Sequence, residues 1–166
     1  MRASALEESI VKGRVLAIDY GRRRLGLALS DEGRMVARPL ETLERVNRQA
    51  DLARLRHLVR EQGVAQLVVG LPLRLDGTAG EMAAEARAFA ARVGKAVRLP
   101  VALVDERLTS WEAAEELEAS PAKQSLAVRR GGRGAASKAH RAPDGVDSLA
   151  AALILEEYMR REAGAQ

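Results

Sequence analysis

The run Arg14-Val-Leu-Ala-Ile-Asp19-Tyr-Gly21, resumed after three arginines as Leu25-Gly-Leu-Ala-Leu-Ser30, decides how the fold is read. Two apolar runs of strand length joined by a tight turn containing Gly21 predict a pair of strands. Asp19 ends the first of them. A carboxylate at the end of a buried strand costs several kcal/mol, roughly, unless something compensates it. A divalent metal is one candidate for that partner. A hydrogen bond to the turn, with no role beyond structure, is the other.

Outward from this pair the pattern stays regular and then changes period. Asp31-Glu-Gly33 reads as a turn and Met35–Leu43 as a third strand, so the first three strands form an antiparallel meander. Leu52, Leu55, Leu58 and Val59 mark one face of a helix from about Asn47 to Gln62, stopped by Gly63. Gln66–Leu71 is a buried strand ended by Pro72. Met82, Ala86, Phe89, Ala90 and Val93 recur at helical spacing and predict a helix over Thr78–Val93. Val101–Val104 is a short strand. Thr109 and Glu112 form a capping box that opens a helix through about Glu118. A last helix is expected over Asp144–Arg161, with Val146, Leu149, Leu153 and Tyr158 toward the core. The order βββαβαβαα gives an α/β fold: a five-stranded mixed sheet flanked by helices on both faces.

The totals narrow the chemistry. A chain of 166 residues suits one domain with a real core, and with only 2% aromatic residues that core is aliphatic. The absence of Cys excludes disulfides and thiolate metal sites, and two His are too few for a His-rich zinc site. A metal would be held by carboxylates, which favours Mg²⁺ or Mn²⁺. Met1–Lys12 lacks a long apolar stretch, and the longest apolar run, Leu149–Leu155, is far below the roughly 18 residues of a membrane span. A soluble, cytoplasmic protein is expected, with residues 1–13 as a flexible N-terminal extension and 14–166 as a single domain.

The net charge of +4 is compatible with an anionic partner, but an arginine-rich composition alone would produce it. Its placement says more. From Ser120 to Pro143 there is no acidic residue, while Lys123, Arg129, Arg130, Arg133, Lys138, His140 and Arg141 are interspersed with Gly131, Gly132 and Gly134. Residues 120–143 therefore read as a mobile basic loop, suited to contacting phosphates. A solvated linker is the plainer account.

Three acidic positions converge on one edge of this topology. Asp19 ends the first strand, Asp105 and Glu106 end the last, and Asp147 lies in the first turn of the final helix. If the first and fifth strands run parallel, their C-terminal ends share the edge where α/β folds bind ligands. Each acid has a dull explanation: Asp144 and Asp147 suit the positive end of a helix dipole, and Glu106 could pair with Arg107 or Arg23. Together they suggest a two-metal site for phosphodiester chemistry. The strand period does not choose between Asp105 and Glu106.

Four blocks carry a resemblance: Leu16-Ala-Ile-Asp-Tyr-Gly-Arg-Arg-Arg-Leu-Gly26, Val68-Val-Gly-Leu-Pro-Leu73 with Asp76-Gly-Thr78, Val104-Asp-Glu-Arg-Leu-Thr109, and Val146-Asp-Ser-Leu-Ala-Ala151. In this order they resemble the YqgF family, also called RuvX, of Holliday-junction-resolvase-like proteins associated with pre-16S rRNA processing. The resemblance spans residues 14–160. It implies an RNase H-like fold, and Asp19, Glu106 and Asp147 as catalytic acids that hold Mg²⁺ or Mn²⁺. It selects Glu106 over Asp105 through the Asp-Glu-Arg motif. Arg23 falls where the family often has Lys, whereas Arg22 replaces a small residue, often Thr. Substrate would be positioned by Arg23, Arg129, Arg130, Arg133, Lys138 and Arg141.

The expected function is a metal-dependent nuclease acting on structured nucleic acid, foremost the 5′ end of precursor 16S rRNA. A Holliday junction resolvase acting on branched DNA would use the same chemistry. A non-catalytic nucleic-acid-binding assembly factor would not need the acids. A resolvase requires a dimer, and both monomer and homodimer remain open. An actin-like ATPase shares the strand–Asp–Gly opening but needs a second lobe for which this chain is too short. Trp111 suits either base stacking or a core contact, His57 a helix surface, and the Asp76-Gly77-Thr78 turn either a substrate-facing loop or a helix start.

Overall fold

The computed structural model describes residues 13–74, 76–109 and 145–165. Strands β1 (Arg14–Tyr20), β2 (Arg24–Ser30) and β3 (Ala37–Glu44) are followed by α1 (Arg48–Gln62), β4 (Val64–Leu71), α2 (Glu81–Val97) and β5 (Val101–Asp105). A 3₁₀ turn spans Glu106–Thr109 and helix α3 spans Gly145–Gly164. The sheet order is β3-β2-β1-β4-β5. β2 pairs antiparallel with β1 and β3, while β4 runs parallel to both β1 and β5. The expected mixed five-stranded sheet is present, and the C-terminal ends of β1, β4 and β5 share one edge. No helix among the described residues is long and apolar enough to cross a membrane.

Strand alternation sorts the core into two layers. Leu16, Ile18, Leu25, Leu27, Leu67 and Val69 face α1 and α2, where they meet Leu55, Val59, Phe89 and Val93. Val15, Ala17, Ala28 and Val68 face the other way and pack on Ala151, Ala152, Ile154 and Leu155 of α3. Helices thus cover both faces. Fully burying each large aliphatic side chain contributes about 1.5–3 kcal/mol.

Local chemistry sets the element ends. The Asn47 side chain accepts from the Ala50 N–H, and Gly63 closes α1 in the left-handed region at φ 63°. β3 starts at Ala37 rather than Met35. The Asp31 carboxylate takes the N–H groups of Met35 and Val36, so these residues stay in the turn and Met35 is 81% exposed. α2 starts at Glu81 rather than Thr78. The Asp76 carboxylate takes both the N–H and the hydroxyl of Thr78, and this side-chain turn, with Gly77 at φ 84°, competes with helix.

The packing phase of α3 also differs from expectation. Its buried residues are Ser148, Ala151, Ala152, Ile154, Leu155 and Glu157, whereas Val146 is 79% exposed and Leu149, Leu153 and Tyr158 are half-buried. The sheet presents Ala17, Ala28 and Gly26 to this helix. Small residues there let Ala151 and Ala152 approach the strands closely with Ile154 and Leu155 beside them, while Tyr158 still packs on the rim of this layer. Several expectations lie outside the described residues: the 1–13 extension apart from Gly13, the capping box at Glu112 with its helix, and the 120–143 loop.

Candidate active site

Asp19 faces α3, on the same side as Ala17 and opposite Tyr20. Its cross-strand partner is Gly26. On the other flank, Ile18 pairs with Val69, which brings Gly70 level with Asp19. The acid therefore stands between two glycines, and the space they leave is taken by the other two acids. A Cβ on Gly70 would meet Glu106 Oε1 at 2.4 Å and Ile154 Cδ1 at 2.5 Å. A Cβ on Gly26 would stand 2.0 Å from the backbone oxygen of Asp147. Gly26 thus allows α3 to begin against β2, and Gly70 allows Glu106 to lie over β4.

All three acids are partly buried. Burial, reinforced by the charge of Asp147, pushes the Asp19 carboxyl up to about 6, against the lowering effect of its hydrogen bond with Glu106. Burial and then the charge of Asp19 push Glu106 up to about 7. The two carboxyls therefore titrate as a pair, with a hydrogen bond between them that one shared proton can supply. Asp105 has a different fate. Arg107 gives it both a backbone N–H, at 3.0 Å, and a guanidinium N–H, at 2.6 Å, holding its carboxyl below the usual range. Of the two neighbouring acids, the structure joins Glu106 to Asp19 and commits Asp105 to Arg107.

This arrangement invites comparison with known proteins. The family model described as "RuvX: Holliday junction resolvase" matches residues 13–161, nearly all of the chain. The chain belongs to the RuvX family. A relative from Koribacter versatilis, named "Putative pre-16S rRNA nuclease", is 41% identical over 155 residues, covering 93% of this chain and 92% of its own length. One of the same name from Thermosynechococcus vestitus is 40% identical over 145 residues, 87% of this chain and 86% of that one. Among solved structures, T. thermophilus RuvC in complex with a Holliday junction substrate aligns with a TM-score of 0.51. At 19% identity it covers 90% of this chain and 96% of its own, and it shares the RNase H-like fold.

The three acids have the donor chemistry of a hard divalent ion: oxygen ligands, partly buried, two of them raised by burial and by a neighbouring carboxylate. Among the described residues, however, no group of three or more His, Cys, Asp or Glu stands ready to hold a metal. Arg24 Nε lies 3.1 Å from Asp147 Oδ2 and engages the third acid. Sequence reasoning missed Arg24 and the spatial roles of Gly26 and Gly70. A glycine inside a strand does signal a close approach, and both lie in the quoted motifs.

The arginines after Asp19 divide their work. Arg22 leaves the site altogether: its guanidinium makes a forked contact to Glu85, 2.7 Å at the shortest, and reaches Glu81 at 3.4 Å. It ties the turn to α2. Arg23 is exposed on the β1–β2 turn at the acidic edge, and its carbonyl accepts from the Arg45 N–H at 2.8 Å. Arg45 also donates to the Gly21 carbonyl and to Asp51, and it lies 5.1 Å from the Tyr20 ring centroid. The Asp76–Thr78 turn reaches the site edge through Arg107, which a Cβ on Gly77 would meet at 3.1 Å. His57 is a surface residue paired with Glu61 at 3.0 Å. Arg129, Arg130, Arg133, Lys138, Arg141, His140, Trp111 and Asp144 lie outside the described residues.

Proposed function

We propose that this RuvX chain is a metal-dependent nuclease that hydrolyses phosphodiester bonds in structured nucleic acid, with the 5′ end of precursor 16S rRNA as its cytoplasmic substrate. The observation that carries the reading is the pairing of two raised carboxyls, Asp19 and Glu106, on glycine-cleared ground at the sheet edge, with Asp147 close enough to act on Asp19. Asp19, Glu106 and Asp147 would hold Mg²⁺ or Mn²⁺. When bound, such an ion supplies Lewis-acid polarisation of the phosphate and a water of lowered pKa. The acids would keep the ion at the end of β1, on the edge of the sheet that the C-terminal ends of β4 and β5 share. Arg23, from the turn, orients a phosphate by charge-assisted hydrogen bonds. Arg129, Arg130, Arg133, Lys138 and Arg141 would extend that grip along the backbone. No protein nucleophile is required.

RNA as the substrate is supported by the name that both relatives carry. The family description favours a second reading, cleavage of branched DNA. One experiment separates them: purified protein is incubated with precursor 16S rRNA ends and with four-way DNA junctions, each with and without Mn²⁺. Mn²⁺-dependent cutting of the RNA alone is expected. Asp19→Asn and Asp147→Asn should each abolish it, and a wild-type rate in either variant refutes the assignment of the acids. Binding without cleavage under every condition would instead support an assembly factor.

A further inference from the structure

Helices α1 and α2 lie over the sheet face opposite α3, and both lead away from the acidic edge. β3 runs with β1, so α1 leaves the C-terminal edge of the sheet and returns the chain to the start of β4. α2 makes the same descent between the parallel strands β4 and β5. Side chains along the two helices therefore form rows that begin near the site and recede from it.

The charges on these rows are unbalanced. Every carboxylate of the two helices is engaged: Asp51 by Arg45, Glu61 by His57, and Glu81 and Glu85 by Arg22. Most of the cations form no ion pair, although Arg56 donates to the Ala96 carbonyl at 3.2 Å. Arg54, Arg60, Arg87, Lys95 and Arg98 are exposed and Arg92 is half-exposed, and none of them forms an ion pair among the described residues. An arginine-rich composition does not account for this, because the opposite layer uses its arginines differently. There Arg160 and Arg161 both bind Glu157, and Arg34 binds Glu162. Positive charge is neutralised on one layer and left open on the other.

We infer that the α1/α2 face is a second nucleic-acid contact, gripping the phosphate backbone of a double-helical segment that leads away from the cleavage point. Duplex fits better than single strand. Binding of unpaired bases relies on exposed aromatic platforms, and the one Phe, Tyr or Trp on these helices, Phe89, is buried. A membrane surface fits poorly as well: exposed positions between the cations include Ala53, Ala84, Ala88 and Ala91, which offer no large apolar side chain to insert. Arg87 to Arg98 spans about 16 Å at 1.5 Å per residue. That matches about five base pairs at 3.4 Å each. The inference rests on the proposed nucleic-acid substrate but not on catalysis by the acids.

The test is equilibrium binding in EDTA, where cleavage does not intervene, using RNA hairpins whose duplex stems increase from none to about ten base pairs. Wild type is compared with the exposed-surface variant Arg54→Gln/Arg60→Gln/Arg87→Gln/Lys95→Gln across a salt series, after circular dichroism shows equal folding. For wild type, affinity should rise with stem length and level off after about five pairs. In the variant that rise should vanish, and the slope of log K against log salt should flatten by about 3, at roughly 0.7–0.9 per lost contact. Identical slopes and stem dependence in the two proteins overturn the inference. So does a variant that loses only its binding to phosphatidylglycerol vesicles. If wild-type protein binds no hairpin at all, the proposed substrate itself fails, and this face falls with it.

Discussion

Arg24 Nε stands 3.1 Å from Asp147 Oδ2, fastening the first turn of α3 to the first residue of β2. Both side chains keep contact with solvent, so the pair contributes only about 0–1 kcal/mol to stability. Its effect on the site is larger. The same carboxylate raises Asp19 and is a proposed ligand, so Arg24 and a divalent ion compete for it. Arg24→Gln should leave the melting temperature nearly unchanged and tighten Mn²⁺ binding about three- to tenfold, equivalent to roughly 1 kcal/mol. Calorimetric titration with Mn²⁺ measures this. Arg23→Gln removes a nearby charge without touching Asp147, and an equal gain there would reduce the effect to general electrostatics.

The raised acids also fix how the metal-free protein responds to pH. Asp19 moves from 3.8 to about 6 and Glu106 from 4.5 to about 7. A carboxyl whose folded pKa is raised binds protons more tightly in the folded state. Stability is therefore highest below the unfolded values and is lost as pH rises from about 4 through about 7. Asp19→Asn removes one charge and relieves Glu106. At pH 8 it should stabilise the metal-free protein by on the order of 1–3 kcal/mol, and at pH 4 by almost nothing. Urea unfolding at both values checks the sign. Equal stabilities at pH 8 would show that the acids do not strain the fold, whatever the variant does to cleavage.

What the sequence revealed follows the range of the forces involved. Asn47 and Gly63 act within one turn of α1, so both of its ends could be read locally. The strand that carries Asp19 and the strand that leads into Glu106 showed themselves through apolar period and order. Their shared edge followed once β1, β4 and β5 were parallel. The phase of α3 was not visible, because it depends on small residues that β1 and β2 bring together on one face. The burden on Gly26 and Gly70 required the register, which places each beside Asp19. Arg24 could not be chosen among three consecutive arginines, since strand direction and the position of α3 decide which one meets Asp147. Arg22 is explained only by Glu81 and Glu85, some sixty residues away.

The two glycines should fail in different ways when given a methyl group. At Gly26 the new Cβ would meet backbone, the Asp147 oxygen at 2.0 Å, so α3 must shift as a body. Overpacking of this kind costs about 1–3 kcal/mol or more. At Gly70 it would meet the ends of two side chains, Glu106 and Ile154, which can turn away. Gly26→Ala should therefore lower the melting temperature and activity together. Gly70→Ala should cost little stability and still remove most cleavage, because the carboxyl that turns away belongs to Glu106. Thermal melts and turnover of both variants test this, and an active Gly70→Ala would show that Glu106 need not lie over β4.

The β1–β2 turn depends on a buried pair at its back. Asp51 is 5% exposed and takes Arg45 Nε at 3.0 Å together with the Val46 N–H. Arg45 in turn donates to the Gly21 carbonyl and lies 5.1 Å and 5.7 Å from the ring centroids of Tyr20 and Phe89. Lysine cannot reproduce this fork, since its ammonium is a point charge without the flat face that stacks on the rings. Arg45→Met leaves Asp51 buried against an apolar chain and should destabilise by about 3–5 kcal/mol. Arg45→Lys should cost less but should loosen the turn that carries Arg23, weakening substrate binding more than turnover. Adding Asp51→Asn to Arg45→Met removes the stranded charge and should recover part of the loss. A double-mutant cycle by urea unfolding, with KM and kcat measured for Arg45→Lys, decides the matter. Strict additivity of the two substitutions would mean that Arg45 and Asp51 act independently and that the turn is held by other contacts.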